Sequence, residues 1–371
     1  MARLSRAEVF AADEVAIVHV INRTVRRCYL MGEDSLTGKN YDHRKSWMED
    51  ELQHLATFFG IDLLCYAILS NHFHLILRSR PEVVSTWNDA EVARRWLMLC
   101  PKRRDSNKQP LEPTAEELNM ILNNPVAVRE IRTRLSDISW WMRLLCQKIG
   151  RRANREDKEI GKFWQARYRA VRLLDEAAIL ACAAYVDLNP IRAALAETIE
   201  TSPYTSAQQR VLELQAQTVL GRANAPRSSD EAPKLPVARP GLKPIARSLS
   251  PVCLTEDGSK TGPCVHQGGF RASDKGFLPL STATYLELLD WTARQIRTDK
   301  RGSTPESAAP LFKRLGIDAS SWCELTKNFG RLFSSVAGKP TVIDSIRSRQ
   351  RKQRYNIPAK TRQLLSSEAS K

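Results

Sequence analysis

Two apolar runs with only two residues between them constrain this chain more than any other feature. Residues 61–69, IDLLCYAIL, read as a buried strand, and residues 72–78, HFHLILR, read as a second one. Ser70-Asn71 supplies the turn, and a connection that short joins antiparallel neighbours. Upstream, VAIVHVIN at 15–22 is β-branched and apolar and reads as a third strand. Between it and the hairpin, Met48, Leu52, Leu55 and Phe59 recur at helical spacing, and Gly60 stops the pattern. This part of the chain predicts strand–helix–strand–strand.

Residues 81–136 are polar and interrupted by Pro101, Pro110, Pro113 and Pro125, which predicts an insertion with one or two short helices. Ile138, Trp141, Leu145 and Ile149 then lie on one face of a helix over 138–153. Phe163-Trp164 begins an irregular segment, AVRLL is a further strand, and Asp175 caps a helix through DEAAILACAAYVDLN that Pro190 ends. The order β-α-β-β-α-β predicts an α+β fold over residues 1–210, a ferredoxin-like antiparallel sheet with helices on one face. Beyond 211, Pro226, Pro233, Pro236, Pro240, Pro244, Pro251 and Pro263 mark 211–277 as an extended linker poorly able to bury a core. Tyr285, Leu289 and Ile296, then Leu311 to Phe333, indicate a small helical region over 278–340. Residues 341–371, with 8 Lys/Arg and 2 Asp/Glu, are expected to be a mobile basic arm adding sequence-independent affinity for DNA.

Charge narrows the partner. The 371 residues carry a net charge of +16. Residues 1–210 hold 31 Lys/Arg against 27 Asp/Glu, while 211–371 hold 26 against 14, so the excess lies in the second part. A basic balance of this size points to a polyanion, nucleic acid first. No run of 18 apolar residues occurs, so no membrane-spanning helix is expected. The first twenty residues lack a signal-peptide pattern, and the eight cysteines are scattered with no CxxC pair. Both fit a reducing cytoplasm and argue against a zinc ribbon.

Three groups of residues can carry chemistry. His72 and His74 stand two apart on a strand and therefore on one face, where two imidazoles can meet one metal ion. The plainer alternative is a pair of strand histidines facing a groove without metal. Tyr185 and Asn189 stand four apart on a helix, again on one face, so a phenol able to attack a phosphodiester sits beside an amide oxygen able to ligate. Otherwise they are a core tyrosine and a helix-end asparagine. From Arg143 to Arg172 the chain has ten Lys/Arg and three acids. Arg151, Arg152, Arg155, Arg167 and Arg169 can neutralise phosphates, and Trp164 and Tyr168 can stack on unpaired bases. The alternative is a solvated helix face with two core aromatics.

NHFHLIL, then FWQARYRA, then AYVDLNPIRAAL, in that order, resemble the single-tyrosine HUH transposases, in particular the REP-associated tyrosine transposases. The resemblance covers roughly residues 10–210. It implies His72, His74 and Asn189 as ligands of a divalent metal, Mg²⁺ or Mn²⁺, and Tyr185 as the nucleophile. It further implies cleavage and rejoining of single-stranded DNA near hairpins through a 5′-phosphotyrosine intermediate, by a cytoplasmic, nucleoid-associated monomer or homodimer. The insertion at 81–136 and everything beyond 211 depart from the compact members of that family. Three other readings remain: a domesticated hairpin-DNA-binding protein without catalysis, a relaxase or replication-initiator endonuclease, and a metal hydrolase of small phosphates, which the charge disfavours.

Overall fold

The computed structural model describes residues 9–11, 13–25, 28–34, 38–223, 243–254, 263–296, 308–350, 355 and 357–365. A five-stranded sheet forms its centre. Strands β1 (Ile17–Arg23), β2 (Ile61–Ile68), β3 (His72–Ser79), β4 (Arg169–Leu173) and β5 (Val336–Ala337) lie in the order β2-β3-β1-β4-β5. The first four pair antiparallel, as expected for a ferredoxin-like sheet, with the β2–β3 hairpin at one edge. β5 adds a parallel partner to β4 and makes the sheet mixed.

Alternation along the strands sends side chains to two faces. Val18, Val20, Phe73, Leu75 and Leu77 pack in one core with Met48, Leu52 and Leu55 of α1 (His43–Phe58). Four short helices follow β3: α2 (Pro81–Val84), α3 (Asp89–Leu99), α4 (Ala115–Leu122) and α5 (Pro125–Arg134). The insertion is thus richer in helix than expected. Its helices start at polar caps: Asn88, Thr114 in a reciprocal capping box with Glu117, and Asn124 ahead of Pro125. α6 (Ile138–Asp157) buries Ile138, Trp141, Leu145 and Ile149 against the same core, the face its periodicity predicts.

On that face α1 and α6 share one core with residues of α2, α3 and α5, as expected of helices on one face. The opposite face is covered as well, by α7 (Glu176–Asp187), α8 (Asn189–Arg192), α9 (Ser206–Ala223), α10 (Thr282–Ile296), α11 (Ala308–Leu315) and α12 (Ala319–Leu332). α7 starts where Asp175 accepts from Ala178 N at 2.9 Å, and it is buried on all sides between the sheet and α12. It ends at Asp187, and the chain turns at Leu188 into α8 with Pro190 inside that short helix.

Burial also corrects the reading of the second half. Ile245, Ala246, Leu249, Val252 and Phe277, from the segment expected to bury little, are core residues. Arg78 and Arg80 hold that segment to the hairpin edge: both pair with buried Asp62, Arg78 Nη1 donates to Gly276 O at 2.8 Å, and Arg80 donates to Ser273. The arm expected to be mobile is packed where it is described. α13 (Pro340–Gln350) buries Ile343, α14 (Ala359–Leu365) follows, and Tyr355 donates to Val9 O at 2.9 Å. Residues 351–354, 356 and 366–371 of that arm, and 224–242 and 255–262 of the Pro-rich segment, lie outside the described residues. No helix among the described residues is long and apolar enough to cross a membrane, and none of the eight cysteines is disulfide-bonded.

Asp187 ties these layers together. Fully buried, it accepts from Ser206 Oγ, from Ala207 N at 3.1 Å and from Tyr285 Oη at 2.7 Å, with Arg210 at 3.7 Å. Asp187→Ala strands several donors and a buried guanidinium, so we expect a loss of about 3–5 kcal/mol, read as a lowered denaturant midpoint.

Candidate functional site

The faces of β1 and β3 turned away from α1 and α6 present three imidazoles. Register pairs His74 with Ile21 and His72 with Arg23, which sets His19 diagonally across from His74. The His19 and His74 rings lie almost parallel, centroids 5.2 Å apart, with His19 Nε2 and His74 Nδ1 at 2.9 Å. On the other side of His74, Asn189 Nδ2 approaches Nε2 at 3.0 Å. His72 stands edge-on to His74 at 5.0 Å, and its Nδ1 donates to Asn71 Oδ1 at 2.7 Å. Tyr185 packs edge-on to His74 and His19 at 5.5 and 5.9 Å. The four residues singled out for metal and nucleophile therefore meet around His74, and sequence reasoning missed a fifth, His19.

Burial makes these imidazoles neutral at physiological pH. It lowers the His19 pKa to about 3, with Arg169 and Arg192 adding, and that of His72 to about 4, with Arg23 and Arg192 adding. His74 falls well below the ordinary range for the same first reason, with His72 and His19 next. A neutral imidazole has one donor and one acceptor nitrogen, and its partners choose which. For His72, the Asn71 oxygen fixes the proton on Nδ1 and leaves the Nε2 lone pair bare. For His74, Asn189 Nδ2 as donor puts the proton on Nδ1, held by His19 Nε2, and again leaves Nε2 as the acceptor. His19 Nδ1 remains buried without a hydrogen-bond partner.

That donor set fits a divalent cation. Two Nε2 lone pairs, plus the Asn189 amide turned so that its oxygen faces them, give two nitrogens and one oxygen, borderline ligands that suit Mn²⁺ and accept Mg²⁺. Among the described residues no group of three or more His, Cys, Asp or Glu side chains is arranged to hold a metal. Asn189, 3.0 Å from His74 Nε2, could be a third donor, and His19 holds the far side of the His74 ring through its Nε2.

Tyr185 is held on every side. Its ring is only 8% exposed, tilted against Phe329 at 5.8 Å, with the Arg192 guanidinium 4.0 Å above it and Arg192 Nη1 donating to Tyr185 O at 3.1 Å. The hydroxyl abuts Gly330 of α12: a Cβ there would lie 2.6 Å from Tyr185 Oη, so only glycine admits this approach. Arg169 donates to Gly330 O at 3.1 Å and to Phe333 O, which fixes the end of α12 over the site.

The basic segment divides. Arg151, Arg152 and Arg155 are exposed near the end of α6, with the Arg152 guanidinium 3.8 Å over the Trp47 ring, and none lines the cavities beside the site. Arg169 is spent on α12. Tyr168 is 7% exposed, with its hydroxyl donating to Ser139 Oγ at 3.1 Å, and half-buried Trp164 donates to Cys146 O at 2.8 Å and packs edge-on to Phe73. Neither presents an open face on the surface. Both instead line a cavity of about 580 Å³ with Trp140, rimmed by Arg143, Lys162 and Arg167. It shares Asn22 and Arg167 with a second cavity of about 330 Å³ that reaches Arg23, the register partner of His72. Tyr168→Phe removes one hydrogen bond and should cost about 0.5–1.5 kcal/mol, visible as a small drop in melting temperature.

No family model matches this chain, and no curated protein matches it. Among solved structures it is similar to a REP-associated tyrosine transposase bound to a REP hairpin, at 11% identity over 57% of this chain and 86% of that one, with a TM-score of 0.32. A TM-score that low leaves fold and chemistry to be argued from this chain's own residues.

Proposed function

We propose that this protein is a metal-dependent single-stranded DNA nuclease and strand transferase of the single-tyrosine transposase kind, acting near DNA hairpins. One observation carries the reading. His72, His74, Tyr185 and Asn189 come from two separate segments and meet around His74, and a cavity of about 330 Å³ lined by Arg23, Arg167 and Arg169 reaches the register partner of His72. The basic cavity at that end of the sheet suits the phosphates of a single strand, and the aromatic cavity it adjoins on the α6 face suits its bases.

His72 Nε2, His74 Nε2 and Asn189 Oδ1 would hold Mg²⁺ or Mn²⁺. When bound, that ion supplies Lewis-acid polarisation of a phosphoryl oxygen. The protein's own part is positioning. Arg192 and Phe329 clamp the Tyr185 ring, and its oxygen forms the bond to phosphorus as the bond to the 3′ oxygen breaks. The phenol gives up a proton and the departing oxygen takes one up, leaving a 5′-phosphotyrosine and a free 3′-hydroxyl. Because a phenolate leaves more readily than an alkoxide, a DNA 3′-hydroxyl can displace it and rejoin the strand.

A denaturing gel tests this with labelled single-stranded hairpin DNA and Mg²⁺ or Mn²⁺. The expected result is a protein–DNA band that resists denaturation and disappears in chelator. Hairpin binding with no such band in either metal would favour the second reading, a hairpin-binding protein without catalysis. The near-complete burial of Tyr185 under α12 is the observation on that side.

A further inference from the structure

Beside Tyr185 lies a cavity of about 340 Å³, and its far wall belongs to the C-terminal helical region. α7 and α8 supply Tyr185 and Arg192, while α12 supplies Lys327, Asn328, Gly330 and Arg331. All three charged side chains in this lining are cations, and no carboxylate is among them. Lys327 and Arg331 are exposed, and neither is ion-paired among the described residues. Elsewhere on the same layers arginines find acids: Arg314 pairs with Glu176 at 2.7 Å, Arg362 with Asp344 at 2.8 Å and Arg172 with Glu14 at 2.8 Å. Burial lowers the proton affinity of Arg192, and the charge of Arg331 lowers it further. Three cations around one cavity repel one another unless an anion sits between them. Their placement is also fixed in advance, because Arg169 and Phe329 dock α12 on the sheet and on the Tyr185 ring.

From this we infer that Arg192, Lys327 and Arg331 form a phosphodiester-binding subsite for the DNA strand, placed directly at the Tyr185 hydroxyl and built jointly by the two halves of the chain. The inference rests on the reading of Tyr185 as nucleophile. It makes the C-terminal region a working part of the site, not an appended module. The cations hold non-bridging oxygens of the strand, with Asn328 able to add an amide donor. Tyr185 then meets a phosphate already positioned for it.

Two measurements on the full-length protein test the subsite. The first is the rate of covalent adduct formation by a Lys327→Ala/Arg331→Ala double variant on labelled hairpin DNA. It should fall about 10- to 100-fold, the range for losing charged donors, with hairpin affinity within about threefold because most phosphate contacts remain. Arg331→Lys alone should retain much of the rate. The second is acylation of Lys327 followed by mass spectrometry. A single-stranded oligonucleotide should shield Lys327, and inorganic phosphate at equal phosphate concentration should not.

Each outcome decides something. If the wild type forms adduct, the double variant matches it within about twofold and Lys327 is unshielded, the subsite is wrong and the nuclease reading stands. Shielding in a wild type that never forms adduct leaves the subsite standing and removes the nuclease reading. Shielding by phosphate but not by the oligonucleotide replaces the DNA strand with a free phosphate ligand.

Discussion

Tyr185→Phe should bind hairpin DNA with close to wild-type affinity and form no covalent adduct. The substitution removes one oxygen and keeps the ring. Contacts to Phe329, His19 and His74 and the Arg192 guanidinium above the ring all survive. Stability should therefore move by no more than about 1 kcal/mol, and affinity by about twofold or less, since the phosphate contacts are made by other side chains that the substitution leaves in place. Chemistry has no such reserve, because phenylalanine offers no oxygen to phosphorus. Binding is read by gel shift and the adduct by denaturing gel with peptide mapping. An adduct that persists in Tyr185→Phe, or a label that maps to Tyr168, overturns the assignment.

The histidine pair should separate chemistry from folding. His72 is half-buried, and it donates a hydrogen bond to its neighbour Asn71. His72→Ala should cost little stability yet lower adduct formation by at least about 100-fold, as expected when a ligand itself is lost. His74 is buried between His19 and Asn189. His74→Ala should lose activity to the same degree and also destabilise by about 1–3 kcal/mol for each polar partner left unsatisfied. Adduct assays across a Mn²⁺ titration, beside denaturant melts, distinguish the two. Full activity of both variants in chelator would end the metal mechanism.

What could be read in the sequence was local. The two apolar runs 61–69 and 72–78 with a two-residue turn between them announce a hairpin, and the His-x-His spacing places His72 and His74 on one face whatever the sheet around them. Four-residue spacing does the same for Tyr185 and Asn189. What escaped depends on partners far away in the chain. His19 sits plainly in VAIVHVIN, but only the β1–β3 register brings it to His74. Arg192, two helical turns past Tyr185, carried a signal of its own in that spacing. The polarity of the insertion shows one or two of its four helices, and the caps at Asn88, Thr114 and Asn124 mark the starts of three.

The second half misled for a different reason. Proline and serine lower the average apolarity of 211–277, yet five well-placed side chains, Ile245, Ala246, Leu249, Val252 and Phe277, suffice to seat part of it in the core. Arg169 is a mixed case, since it also lines the cavity that reaches Arg23. Its charge suggested DNA, whereas the carbonyls of Gly330 and Phe333 occupy its guanidinium. Asp187, inside the very segment that carries Tyr185 and Asn189, works as a buried tie between helices.

The docking of α12 on α7 and of β5 on β4 sets a clock. During synthesis His19, His72, His74 and Tyr185 leave the ribosome well before Lys327 and Arg331, and β4 waits with a bare edge until Val336–Ala337 arrives. A chain interrupted before α12 has its tyrosine and its histidines but lacks the wall that faces the hydroxyl. On the proposed function, the cationic wall for the strand is complete only once α12 has docked, so an unfinished copy would cut more slowly than the full chain.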